Sequence, residues 1–136
     1  MERKNNEPVI ILDRPRQQRR GLTLALDGRI TIRALPCRIL GLFPGCKISF
    51  VELYSQPYLI NASQLEIGIR LYGRKGQLHG SSVSTVRNLL PRIIGKPEGV
   101  KEIDLVVDDC PAPIYIGDYY CEGLAVITRT DPTHCR

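Results

Sequence analysis

The chain has 136 residues, a net charge of +5 and a 43% apolar composition, which fits one domain, or two very small ones, with a real core. With no Trp and only two Phe, that core must be built from Ile, Leu and Val. No apolar run approaches the roughly 20 residues of a membrane helix, and the charged N-terminus lacks the apolar stretch and cleavage site of a signal peptide, so the expected location is cytoplasmic with no membrane partner.

Residues 1–20 read as a flexible basic arm, because Pro8, Pro15, Asn5-Asn6 and the run from Arg14 to Arg20 resist packing. Leu22, Leu24 and Leu26 then alternate with smaller residues, as do Ile30 and Ile32, and Asp27-Gly28 between them signals a hairpin. An odd-length loop, Asp27-Gly28-Arg29, pairs Leu26 with Ile30 and Leu24 with Ile32 and makes one face wholly aliphatic. Arg29 is then expected at the tip. A short helix is expected over residues 34–42, with Pro36 in its first turn and Leu35, Ile39 and Leu42 on its buried face. Pro44-Gly45 turns the chain into a strand from Lys47 to Val51, and Pro57 to Ile60 makes another.

Residues 65–71, LEIGIRL, alternate cleanly and read as a strand. YGRKGQLHG follows as a Gly-rich basic loop. It leads to a second helix near 82–94, capped by Ser81 or Ser82, with Val83, Val86, Leu90 and Ile93 buried and Pro91 kinking or shortening it. A loop before a helix N-terminus is a place where backbone N–H groups bind anions; a solvated hairpin tip is the alternative reading. Pro97-Glu98-Gly99 is a turn, and strands are expected at Glu102 to Val107, Pro113 to Gly117 and Leu124 to Thr128. Each half thus runs hairpin, helix, strand, strand, which suggests a degenerate duplication. Chance recurrence in a small α+β chain is the alternative.

Within the first half, GRITI is followed by a short helix and then LGLFPGCKISF, spanning residues 28–52. This segment resembles the AbrB/SpoVT/MazE-like swapped-hairpin DNA-binding domains, which read G-R-I-x-I-P, a short helix carrying an Arg, then L-G-[IL]-x-x-G-D-x-[VI]-x-[FV]. Arg33 stands where the family has Pro, Cys37 where it has the helix Arg, and Cys46 where it has Asp. The resemblance covers under a quarter of the chain. It implies a strand-rich α+β barrel of swapped-hairpin type, a homodimer or higher homo-oligomer whose hairpins interleave, duplex DNA as partner, and a role in transcription regulation. The corresponding organisation is an arm at 1–20, a swapped-hairpin-like unit at 21–62, a second α+β unit at 63–130 that suggests a degenerate repeat, and a tail at 131–136.

Charge is unevenly spread. Residues 21–80 hold seven basic and three acidic groups, whereas 81–136 hold six and eight. A polyanion is drawn to the basic part. The candidate DNA-contacting residues are Arg29, the one family contact position matched directly, and Arg33, Arg38, Arg74, Lys75 and Arg87, chosen by charge and placement. No catalytic set and no cofactor motif is present. Asp108-Asp109 reads as a polar strand end before Cys110-Pro111 rather than a metal pair. Five cysteines without an export signal argue for reduced thiols, and Cys110, Cys121, His134 and Cys135 match no common zinc spacing. Two other classes of function stay open: an interaction or assembly module that binds no nucleic acid, and a toxin-type enzyme acting on nucleic acid.

Overall fold

Alternation in the first hairpin sets the architecture. The structure, a computed structural model, describes residues 21–94 and 101–128. The arm at 1–20, the turn at Pro97-Glu98-Gly99 and the tail at 131–136 lie outside them. β1 (Gly21–Ala25) and β2 (Arg29–Ile32) pair antiparallel, with Leu22 opposite Ile32 and Leu24 opposite Ile30. The loop is odd in length, but it is Leu26-Asp27-Gly28, so the register differs by two residues from the expected one. The Gly28 N–H bonds to Ala25 O at 2.9 Å and closes the turn. A two-residue shift keeps the same side chains inward, so the aliphatic face survives.

α1 (Ala34–Leu40) follows β2 directly and stops at Gly41, whose φ of +67° is left-handed, with Leu42 N–H bonding back to Cys37 O at 2.8 Å. Its buried residues are Pro36 and Cys37, not Leu35 and Ile39, which are half-buried. The inward strand residue Ile32 sets the phase of the helix, and Cys37 Sγ reaches Ile32 O at 3.6 Å. β3 (Lys47–Leu53) and β4 (Gln56–Asn61) form a hairpin through Tyr54-Ser55.

LEIGIRL departs from expectation. Only β5 (Ile69–Arg70) is strand, and Ile67 is 76% exposed. Leu65 N–H is used in a tight turn to Ala62 O, and Lys47 Nζ binds Leu65 O at 2.6 Å, so the backbone groups a strand would offer are already engaged. YGRKGQLHG takes the hairpin reading, with β6 (Tyr72–Arg74) and β7 (Gln77–Ser81) paired around Lys75-Gly76. Ser82 Oγ then accepts the Thr85 N–H at 3.3 Å and caps α2 (Val83–Ile94). α2 buries Val86, Leu89 and Leu90, leaves Val83 exposed, and continues past Pro91. β8 (Glu102–Val107), β9 (Ala112–Ile116) and β10 (Tyr119–Thr128) complete the chain.

The strands run β5-β3-β4-β10-β8-β1-β2-β7-β6, with β9 beside β10. The two ends of this path, β5 and β6, are separated by the single residue Leu71. One stretch of chain therefore brings the two ends of the sheet together into a nearly closed α+β barrel. Leu71 is fully buried, and its N–H bonds to Cys46 O at 2.8 Å. Pairings repeat across the two halves. β1 lies beside β8, the strand after α2, and β5 lies beside β3, the strand after α1. β2 pairs β7, and β4 pairs β10. Leu22, Leu24, Ile30, Ile32, Ile48 and Leu59 share one core with Leu71, Leu78, Leu90, Leu105 and Leu124, each worth about 1.5–3 kcal/mol of burial. Among the described residues no helix is long and apolar enough to cross a membrane.

Candidate nucleic-acid interface

Strand parity decides which side chains face outward. Ile30 and Ile32 are fully buried, so Arg29 and Thr31 on β2 point away from the core, as Arg33 does at its end. Antiparallel neighbours share a face. Thr31 lies opposite Thr23 and His79, His79 opposite Tyr72, and Gln77 opposite Arg74. The outer face of β1, β2, β7 and β6 is thus polar and rich in arginine.

The six candidates do not form one patch. β2 and β7 are antiparallel, so α1 and α2 leave from opposite ends of the pair. Ile32 sits opposite Leu78, which brings Gln77 and Arg74 level with Arg33. Arg38 follows one turn later in α1. With Lys75 and Gly76 it borders a concavity of about 730 Å³, also lined by Ala34, Cys37 and Phe43. Arg33, Arg38, Arg74 and Lys75 therefore gather at the α1 end. Arg29, opposite Ser81, and Arg87 on α2 lie at the other end.

Their environments differ as well. Arg29 Nε bonds Asp27 Oδ2 at 3.0 Å, and its backbone N–H also bonds Asp27. That backbone bond, helped by the guanidinium, holds the Asp27 carboxyl below its ordinary range, so the charge of Arg29 is matched locally. Arg33 is half-buried. Its Nη2 donates to Thr23 Oγ1 at 2.9 Å, and Thr23 donates to Asp104 Oδ1 at 2.6 Å. Arg38, Arg74, Lys75 and Arg87 make no side-chain hydrogen bond or ion pair among the described residues. Three of those four free cations belong to the α1 end.

The anion site expected where the basic loop meets a helix is not formed. β7 intervenes, its five residues spanning about 17 Å at ~3.3 Å per residue and separating Lys75 from the start of α2, and Ser82 already occupies the Thr85 N–H. Tyr72, Gln77, His79 and Thr31 are the residues that sequence reading left out. The signal for them was a polar/apolar alternation on both sides of Lys75-Gly76, masked by the density of glycine.

Cys37, Cys46 and Cys121 are free thiols. Cys110 is disulfide-bonded, contrary to the expectation of reduced thiols throughout and incompatible with its serving as a zinc thiolate. Among the described residues no three His, Cys, Asp or Glu side chains group as a metal site; His134 and Cys135 lie outside them. Burial pushes the Cys37 thiol up to about 11. No family model, no curated protein and no solved structure matches the chain.

Proposed function

We propose that this chain binds duplex DNA, with the α1 end of the β1-β2-β7-β6 face as its contact surface, and that it acts as a cytoplasmic regulator. The observation that carries the reading is the convergence of Arg33, Arg38, Arg74 and Lys75 from two strands, a helix and a turn, with Arg38, Arg74 and Lys75 lacking any described side-chain partner. Unmatched cations on a rigid surface are what phosphate contact requires. The interleaved strand order supports the swapped-hairpin resemblance. The first strand of each half lies beside the post-helix strand of the other, within one chain instead of between two. On this reading the chain is a fused, degenerate version of the family's dimer, and a homodimer is not needed to complete the barrel.

The test is a titration of a random-sequence duplex at rising salt. Binding through about four phosphates gives a log–log slope of about −3.6. Absence of binding at low salt would remove the proposal. It would favour the interaction-module reading, for which the exposed Tyr115 and Tyr120, their rings tilted by 55° with centroids 5.2 Å apart on the β9–β10 hairpin, are the supporting observation.

A further inference from the structure

The β6–β7 hairpin has the form of a reading element. Every residue of β6 is exposed, and β7 alternates, with Leu78 and Gly80 inward and Gln77, His79 and Ser81 outward. β6 ends the strand path and pairs only with β7 among the described residues, so the ribbon has an open edge. A side chain at Gly73, whose φ is +117°, would place its Cβ 2.8 Å from Gln77 O. Glycine thus lets the two strands close tightly behind the tip. At the tip, Arg74 and Gln77 stand directly opposite each other. Neither makes a side-chain hydrogen bond or ion pair among the described residues. Further back, His79 is steadied by Thr31 Oγ1 at 3.2 Å.

We propose that the two-stranded tip of this hairpin, residues 74–77 beyond the last β2–β7 pair, enters the major groove and that Arg74 and Gln77 read base edges. The inference rests on the DNA reading above and deepens it. A major groove about 12 Å wide admits such a ribbon. Side chains facing each other across a strand pair start about 5 Å apart, and base pairs stack about 3.4 Å apart, so the two reach neighbouring steps. Arginine pairs with the O6 and N7 acceptors of guanine, and glutamine with N6 and N7 of adenine. The site preferred is therefore a guanine next to an adenine. Lys75, Arg38 and Arg33 beside the ribbon contact phosphates and set its position without reading sequence.

The test is selection of bound duplexes from a randomised library by the full chain and by the variants Arg74→Ala, Gln77→Ala and Lys75→Ala, each checked by thermal melting for an unchanged fold. The wild type is expected to select a guanine–adenine step. Arg74→Ala is expected to lose the preference for guanine and Gln77→Ala that for adenine, each by about 5- to 150-fold. Lys75→Ala is expected to keep both preferences and lower affinity for all sequences. Selection unchanged in Arg74→Ala and Gln77→Ala would overturn the inference. So would wild-type binding that is salt-dependent but indifferent to sequence, a result that leaves the DNA reading standing. Absence of any duplex binding at low salt would overturn both.

Discussion

Arg33 and Arg38 look interchangeable as sequence symbols, and the structure separates them. Arg33 donates to Thr23 in a chain that continues to Asp104. Arg38 has no described partner and is exposed. Arg33→Ala is expected to lower stability by about 1–2 kcal/mol in urea denaturation, and Arg38→Ala by less than about 0.5 kcal/mol. Equal effects would contradict the network. Charge was legible from the sequence at every candidate, but engagement was not, because it depends on which side chain lies across the sheet. The Asp27–Arg29 pair is an exception, being local enough to read from a spacing of two. Cys37 gives a residue-scale pH prediction. Its thiol moves from an ordinary value of 9.0 to about 11 in the fold, chiefly through burial. The unfolded chain ionises first, so this contribution is fully present below about pH 9 and is lost as pH rises towards 11. Thermal melts from pH 8 to 11 should fall less steeply for Cys37→Ala than for wild type. The comparison is needed because Cys121, Tyr119 and Tyr120 are raised too, each chiefly by desolvation. Parallel curves would contradict a buried thiol.

Short elements with strong local signals matched expectation. Strands at 29–32 and 102–107 and helices near 34–40 and 83–94 follow from alternation, proline placement and capping. LEIGIRL as a strand and YGRKGQLHG as an anion-binding loop departed from expectation for one reason. LEIGIRL has strand periodicity, but its backbone groups are taken by the Ala62 turn and Lys47. YGRKGQLHG has loop composition, but β2 supplies β7 with a ladder partner. In both, a distant segment overrode local preference. The β3–β4 turn carries strain of its own. Tyr54 and Ser55 adopt φ of 52° and 67°, a conformation for which two-residue hairpin loops favour Asn-Gly. The double change Tyr54→Asn, Ser55→Gly is expected to raise stability by about 1–2 kcal/mol, read as a higher urea midpoint. A lower midpoint would mean that the Tyr54 side chain, 95% exposed, contributes more than the turn costs.

Closure of the barrel belongs to the whole molecule and was the least legible feature. The repeated order of hairpin, helix and strand was readable, but which strand lies beside which is a matter of long-range pairing. Because the halves interleave and share a core, they should unfold together. Leu24→Ala in the first half and Leu78→Ala in the second are each expected to cost about 2–5 kcal/mol and to shift one common transition. Two separate transitions would contradict the interleaved core. The surface built on that core makes the functional claim. Its most direct test is the salt dependence of duplex affinity, for wild type and for Arg38→Ala combined with Lys75→Ala, between about 50 and 200 mM salt. Linear log–log plots are expected, with a slope shallower by about 2 in the double variant and folding unchanged. Equal slopes for the two proteins, or no wild-type binding at the lowest salt, would contradict the claim.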